Sequence, residues 1–302
     1  MKYLVIGGYG FLGRHFLSYI APRKSHTTIT RKAPTDASIQ GDYILANDLS
    51  EKVIAEIAFS HDVLVHMATS SVPASGSIVS EIYDNLFPTI ELIRKLSAYN
   101  PNLKVVYMSS GGQVYGNKSS ARIKESEIRE PISAYGYGKL MVENSLEFLA
   151  RSEGLKVAIL RVSNPIGKFQ NRANQGIVNV AYNSLINSKP LTIFGDGTEE
   201  RDYIDADVVA KVIDDVAHTD FSFDVWNVGS GIGTSLNCLL NEIEKITGRK
   251  IEVNYSNRRK VDPVKAILDV SKIEQYLGYS LNTDLPTLLR KVLTAKNLES
   301  NF

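Results

Sequence analysis

The stretch that decides the fold is GGYGFLG at residues 7–13, close to the start of the chain. It follows the apolar run Tyr3–Ile6 and opens a stretch of helical spacing that extends to Ile20. Glycines here allow a tight turn and let backbone N–H groups approach a pyrophosphate at a helix N-terminus. Because the motif stands between a strand and a helix, it predicts a dinucleotide site. The residues predicted to hold the dinucleotide are Gly7, Gly10, Phe11 and Leu12.

Outward from this loop, short apolar runs alternate with longer amphipathic stretches. Strand-like runs lie at 27–30, 43–45, 62–66, 104–108 and 157–160, and helical stretches lie at 11–20, 77–99 and 134–151. Apolar strands separated by helices are typical of a parallel sheet that is covered on both faces. The sequence therefore predicts an α/β fold with a Rossmann-type doubly wound parallel sheet.

After Arg161 the loops lengthen and become rich in Asn and Gly. This change predicts a smaller C-terminal α/β lobe that binds the substrate. The expected domains are 1–163 for dinucleotide binding and 164–302 for the substrate. The helix predicted after Asp205 is expected to return to the sheet, so about 203–228 is assigned to the first domain as well.

The composition narrows the class of protein. The 302 residues are 43% hydrophobic and 22% charged, with a net charge of +1, which is unlike a nucleic-acid or membrane-surface binder. Cys238 is the only cysteine and no His-x-x-x-His pair occurs, so neither a disulfide framework nor a metal site is expected. No run approaches the ~18 apolar residues of a membrane span. We expect a soluble, cytoplasmic enzyme.

The end of the second strand bears on the choice of dinucleotide. An NAD site places an acid about 20 residues after the glycine loop to bind the ribose 2′-OH. Here Thr30, Arg31 and Lys32 stand in its place. A guanidinium suits a phosphate, so NADP is predicted, although a solvated strand end is the alternative. Asp48 and Leu49 are expected at the adenine amino group; otherwise Asp48 caps the next helix.

A Tyr-x-x-x-Lys motif, Tyr135 and Lys139, opens the helical stretch after the fifth strand. Residues four apart share a helix face, so Lys139 is expected to lie near Tyr135 and to lower the pKa of its phenol. Such a phenol passes a proton to or from an alcohol oxygen while hydride moves on a nicotinamide. The motif alone is common, but it is specific in combination with the glycine loop.

With these motifs the chain resembles, over essentially its whole length, the extended short-chain dehydrogenases/reductases. That family comprises nucleotide-sugar epimerases, dehydratases and reductases. The other matching segments are VHMA at 65–68, Asn85, MSSGGQVYG at 108–116, RVSNPIG at 161–167, GDG at 195–197, RDYI at 201–204 and RRKVD at 258–262. The last four resemble the UDP-glucose 4-epimerase-like branch.

The resemblance implies roles for these positions. Tyr135 would transfer the proton, Lys139 would bind the nicotinamide ribose, and Met67 and Ala68 would line the cofactor site. The substrate would be a nucleotide-diphosphate sugar. Its binding residues would be Asn164, Arg201, Arg259 and Asp262, since two arginines suit a pyrophosphate. Helices near 77–99 and 134–151 resemble those of a four-helix dimer interface, so a homodimer is expected.

The chain departs from the family at the third catalytic position. The usual Ser or Thr four residues before Tyr115 is Gly111 here. Ser110 is our candidate for the missing hydroxyl. Ser109, Thr69, Ser70 or a backbone N–H could take its place.

Three functions remain open from the sequence. The end of the second strand favours an NADPH-dependent reductase acting at C4 of a nucleotide-linked 4-keto-6-deoxy hexose, as used in polysaccharide precursor synthesis. The substrate-lobe motifs favour the runner-up, a nucleotide-sugar 4-epimerase that retains NAD. A non-catalytic dinucleotide sensor is the third, and the intact Tyr135–Lys139 pair argues against it. A dehydratase is disfavoured because Gly112 and Gln113 replace its acid pair.

Overall fold

The computed structural model describes residues 1–34, 41–171 and 175–299. Its first half contains β1 (Tyr3–Ile6), α1 (Phe11–Ile20), β2 (His26–Thr30), β3 (Asp42–Leu45), α2 (Glu51–Ser60), β4 (Val63–His66), α3 (Ile78–Ser80), α4 (Phe87–Tyr99), β5 (Lys104–Ser110), α5 (Ala134–Glu153) and β6 (Lys156–Val162). A π-helical segment, Glu81–Leu86, joins α3 to α4, and a 3-10 turn, Ala46–Asp48, follows β3.

The second half contains β7 (Asn164–Ile166), α6 (Ile177–Asn187), β8 (Leu191–Phe194), β9 (Glu200–Asp205), α7 (Ala206–His218), β10 (Phe223–Val228), β11 (Gly233–Ser235), α8 (Leu236–Thr247), β12 (Val253–Ser256), β13 (Lys265–Ala266), α9 (Ser271–Leu277) and α10 (Leu285–Glu299). β9 is the centre of a four-stranded sheet with β7, β11 and β13, and β8 pairs with β12.

Seven parallel strands form the large sheet in the order β10-β6-β5-β4-β1-β2-β3. Successive residues of a strand face opposite sides. Accordingly, Tyr3 and Val5 pack into one apolar cluster, while Leu4 packs into another on the opposite face. Helices cover both faces, which explains why the strands read as continuous apolar runs. The predicted doubly wound α/β fold is confirmed.

The large sheet places several loops at one edge. Ile6 of β1 pairs with His66 of β4, and His66 pairs with Tyr107 of β5. The glycine loop after β1, the loop after β4 and the end of β5 therefore meet at the carboxyl edge. In open α/β sheets, ligands bind at this edge.

The chain returns to the large sheet after entering the smaller one. α7 packs on α1, and β10 adds to the sheet beside β6. Within the described residues, no helix combines the length and the apolar character that crossing a membrane requires.

Candidate active site

The glycine loop leaves room for a ligand where side chains would obstruct the backbone. Gly7 has φ +85°, and a Cβ on it would lie 2.7 Å from Ala68 N. A Cβ on Gly13 would lie 2.2 Å from Gly7 O. Gly10 is the N-cap of α1 and makes no side-chain capping bond. The free amides of the first turn, which includes Phe11 and Leu12, therefore fit a pyrophosphate.

The residues expected to bind the adenosine follow β2 and β3. Arg31 and Lys32 are exposed just after β2, and the Thr30 hydroxyl donates to Lys32 O at 2.9 Å. Asp48 is exposed at the end of the 3-10 turn. The interpretation of Asp48 as the cap of the next helix is wrong, because Ser50 is the N-cap of α2 and accepts from Val53 N.

The start of α5 positions the catalytic pair. The N-cap Ser133 accepts from Gly136 N at 3.0 Å and donates to the Gln113 side chain at 2.8 Å, which fixes the helix against the loop after β5. Lys139 is buried and its Nζ donates to Met108 O at 2.9 Å. The same Nζ lies 5.9 Å from the centre of the Tyr135 ring. The expected closeness of the two side chains is thus present.

The electrostatics of the pair differ in part from expectation. Burial raises the pKa of Tyr135 to about 12, while a hydrogen bond with Ser110 lowers it and Glu81 raises it further. We expected Lys139 to lower the pKa of the Tyr135 phenol below its ordinary value, and this expectation is wrong. Burial also lowers the pKa of Lys139 to about 8, against the opposing effect of Glu81 and Glu143.

The hydroxyl beside the phenol belongs to Ser110, whose proximity lowers the pKa of Tyr135. The Ser109 hydroxyl is already engaged, because it donates to Glu143 of the same helix. The Gly111 amide donates to Val162 O at 2.8 Å, so it is already engaged.

The two hydroxyls of the loop after β4 form bonds near their own positions. The Ser70 hydroxyl donates to Asn85 Oδ1 at 3.2 Å, and the Thr69 hydroxyl donates to Ser71 O at 3.4 Å. Ser110 therefore remains the best candidate for the third catalytic position.

Gly111 itself is required by packing. A Cβ there would lie 2.5 Å from Leu268 Cδ1 and 2.9 Å from Arg161 O. The space beside Gly111 is therefore filled by Leu268 and by the Arg161 backbone.

Cationic side chains of β9 and of the loop after β12 lie close together. Arg259 Nε donates to Asp262 at 2.6 Å, and its guanidinium lies 4.5 Å from the centre of the Phe194 ring. Burial lowers the pKa of the Arg201 guanidinium. The negative charge of Asp262 raises this pKa and the positive charge of Arg258 lowers it, so the three charged groups lie close together. Arg258 belongs to this cluster although the sequence did not single it out.

Asn164 lies between this cluster and the end of β5. Its Nδ2 donates to Asp202 O at 3.2 Å, and it would lie 3.8 Å from a Cβ on Gly112. Asp202 is not a surface partner of Arg201, as its neighbouring position in the sequence would allow. It is fully buried and accepts from Ser230 N at 2.7 Å.

A buried ion pair supports the catalytic helix. Arg161 of β6 donates to Glu143 of α5 through Nη2 at 2.7 Å and Nε at 3.1 Å. Glu143 follows Lys139 by one helical turn, so the pair ties the lysine's helix to the sheet. The four-residue spacing from Lys139 is the sequence signal that would have revealed Glu143.

Comparison with known proteins identifies the family. Residues 3–229 match the NAD dependent epimerase/dehydratase family. The chain belongs to this family. The extended short-chain dehydrogenase/reductase resemblance, the NAD(P)-dependent Rossmann fold and the enzyme class are thereby confirmed. The individual site residues remain predictions.

Relatives within the epimerase/dehydratase family match nearly the whole chain. A UDP-glucose 4-epimerase of Lactobacillus helveticus is 30% identical, over 92% of each chain. A dTDP-4-dehydro-6-deoxyglucose reductase of Escherichia coli is 27% identical, over 91% of each chain. The UDP-glucose 4-epimerase of Thermotoga maritima, solved with UDP-glucose, superposes with a TM-score of 0.87 and 27% identity, covering 99% of this chain and 100% of that one.

Proposed function

We propose that this protein transfers hydride at C4 of the hexose of a nucleotide-diphosphate sugar, with Tyr135 moving the hydroxyl proton. The observation that carries this proposal is the convergence of Tyr135, Ser110 and Lys139 at the carboxyl edge of the sheet. The glycine loop reaches the same edge. No other group of the described residues that we identified joins a phenol, a hydroxyl and a buried ammonium in this way.

The chemistry follows from what each side chain offers. A bound nicotinamide dinucleotide would supply or accept the hydride. In the reductive direction Tyr135 gives its proton to the C4 carbonyl oxygen, which becomes a hydroxyl. Ser110 holds the phenol oriented and offers a second hydrogen bond to that oxygen. Lys139, anchored on Met108 O, would hold the ribose of that dinucleotide with its ammonium.

The two lobes are proposed to divide the ligands. Residues 1–163 with about 203–228 bind the dinucleotide, and the rest of 164–302 binds the nucleotide sugar. Asn164, Arg201, Arg259 and Asp262 are proposed to hold the diphosphate. Arg201 and Arg259 bring two guanidinium groups, which suit its two negative charges.

The end of β2 favours a reductase that uses NADPH on a nucleotide-linked 4-keto-6-deoxy hexose. Arg31 and Lys32 are exposed there, and the described residues 27–34 contain no Asp or Glu that could bind the ribose 2′-OH. Net reduction requires a dinucleotide that exchanges after each turnover. The Escherichia coli reductase, which matches 91% of the chain, supports this candidate.

A nucleotide-sugar 4-epimerase is the second candidate. Most of the similar proteins that we compared carry that name, including those of Lactobacillus helveticus and Thermotoga maritima. An epimerase oxidises C4, turns the 4-keto sugar over and returns the hydride to the opposite face. The same Tyr135 then acts first as base and afterwards as acid.

One experiment separates the two candidates. The purified protein is mixed with NADPH and a panel of nucleotide 4-keto-6-deoxy sugars, and separately with UDP-glucose without added dinucleotide. A fall in nicotinamide absorbance with formation of a C4 alcohol supports the reductase. Exchange between C4 isomers without an absorbance change supports the epimerase. If neither occurs, the proposed function is wrong.

We also propose that the protein is a homodimer. Large apolar side chains are exposed along the neighbouring helices α4 and α5, among them Phe87 and Phe148, which are 60% and 59% exposed. Ile90 of α4 and Leu149 of α5 line a groove of about 600 Å³ between them. A second copy would bury both helices, as in a four-helix interface.

A further inference from the structure

The π-helical segment before α4 contains a buried acid that the proposed chemistry has not used. The Glu81 side chain is 2% exposed, although acids are almost never fully buried without a partner. Its Oε2 accepts from Asn85 Nδ2 at 2.8 Å, while Oε1 is buried and has no hydrogen-bond partner in the described chain. A carboxylate held in this way is costly unless a positive charge lies nearby.

Two glycines make room for this carboxylate. A Cβ on Gly138 would lie 2.3 Å from Glu81 Oε2, and a Cβ on Gly76 would lie 2.9 Å from Oε1. Gly138 immediately precedes Lys139 on α5. The acid therefore lies against the turn of the helix that carries both catalytic residues. π-helical turns are rare and occur frequently at functional sites.

We propose that Glu81 is a positioning residue of the reaction, acting as the buried counter-charge of the Lys139 ammonium. The inference rests on the proposed function, since it assigns Lys139 and Tyr135 to catalysis. Glu81 makes no direct ion pair in the described chain, so it acts through the field at Lys139 and not by contact.

The second acid near Lys139 cannot fill this role. Glu143 is already paired with Arg161 at 2.7 Å, and Arg129 lies 3.4 Å from the same oxygen. Its charge is therefore compensated within its own cluster. Glu81 has no ion-pair partner in the described chain, so its negative charge acts on Lys139. It raises the pKa of Lys139 more than Glu143 does.

The groups that face Lys139 come from four elements. They are Glu81 of the π-helical segment, Glu143 and Tyr135 of α5, Tyr107 of β5 and His66 of β4. His66 is neutral at ordinary pH because burial lowers its pKa to about 3. Burial raises the pKa of Tyr107 well above the ordinary value, so Tyr107 is neutral too.

The variant Glu81→Gln isolates the charge, because its amide oxygen still accepts from Asn85. The readout is the titration of Lys139 in ¹³C-lysine-labelled protein without added ligand, with the signal assigned by Lys139→Arg. The lysine pKa, about 8 in the parent, is expected to fall by about one unit, because the nearby negative charge that raises it is removed. The alkaline limb of the kcat profile should move to lower pH with it.

Glu91→Gln on the exposed side of α4 is the matched control and should leave the Lys139 titration unchanged. Glu81→Asp keeps the negative charge but moves it, so the pKa of Lys139 should lie between those of the parent and the Gln variant. This variant still tests the proposal if Glu81→Gln folds poorly. An unchanged Lys139 titration in the folded Glu81 variants overturns the proposal. Because this titration needs no substrate, a lack of turnover in the parent protein would contradict the proposed function alone.

Discussion

The Ser110 side chain lies close enough to the Tyr135 phenol to lower its pKa, whereas its neighbour Ser109 donates to Glu143, two turns further along α5. Because Glu143 takes the Ser109 hydroxyl, Ser110 is the serine left beside the tyrosine. The last residue of β5 thus brings a hydroxyl to the phenol although Gly111 has none.

Removal of that hydroxyl should impair the chemical step. We expect Ser110→Ala to lower kcat by about 10²-fold, the usual effect of losing one oriented donor. Ser110→Thr retains the hydroxyl and should recover most of the activity. Steady-state kinetics with saturating dinucleotide measures both. A Ser110→Ala enzyme with parental kcat would exclude Ser110 from the site.

Tyr135→Phe removes the group that moves the proton and should reduce kcat by about 10²–10⁴-fold. Dinucleotide binding should persist, because the glycine loop is untouched. Tyr137→Phe is the matched control, since Tyr137 lies two residues further on the same helix and is 45% exposed. Equal losses in the two variants would contradict the role of Tyr135.

Gly111→Ala and Gly112→Ala test the packing beside the site. The first Cβ would lie 2.5 Å from Leu268 Cδ1, and the second would lie 3.8 Å from Asn164 Nδ2. We expect Gly111→Ala to lower the free energy of unfolding by about 1–3 kcal/mol, as overpacking does. Gly112→Ala should stay within about 0.5 kcal/mol of the parent. Urea denaturation compares the stabilities of the two variants. Equal stabilities would show that the Leu268 side chain moves aside without an energetic cost.

The end of β2 should set the preference for the dinucleotide. The parent is expected to bind NADPH more tightly than NADH, and Arg31→Glu should weaken NADPH binding by about tenfold or more through loss of one charge-assisted contact. Lys52→Glu, an exposed change on α2, controls for net charge. Fluorescence titration gives the dissociation constants. Tighter NADH binding by the parent would favour the epimerase.

The helical face with Phe148 should hold the dimer together. Phe148→Glu places a charge in the proposed interface and should convert a dimer into a monomer in sedimentation velocity. Tyr255→Glu is the control, because Tyr255 is 64% exposed on β12 of the two-stranded sheet, away from α4 and α5. A parent protein that sediments as a monomer would refute the proposed assembly.

The local pattern predicted six of the seven strands of the large sheet, while β10 was expected only as part of about 203–228. β1 and α1 begin and end at the residues that the sequence indicated, since the alternation of apolar runs and the glycine loop fix them. The stretch 77–99 reads as one helix, yet the structure inserts the π-helical segment Glu81–Leu86. A period of 3.6 residues is insensitive to one widened turn.

The parts of the site that the sequence did not reveal depend on distant contacts. Glu81 reads as an ordinary charge on an amphipathic helix, and it can be buried because Gly138 and Gly76 leave room for its carboxylate. The choice of Ser110 over Ser109 depends on Glu143, which accepts the Ser109 hydroxyl. Ser50 and not Asp48 caps α2 because the 3-10 turn shifts the helix start.

The return of the chain to the large sheet has a consequence for synthesis on the ribosome. Trp226 of β10 and Leu281 lie in the same apolar cluster as Tyr3 and Phe16. α1 covers part of that face early, but the cluster is complete only when residues near 281 have emerged, so the N-terminal half cannot reach its final packing ahead of the rest, as leading domains usually do. Nascent chains of this protein should consequently need protection from aggregation throughout translation.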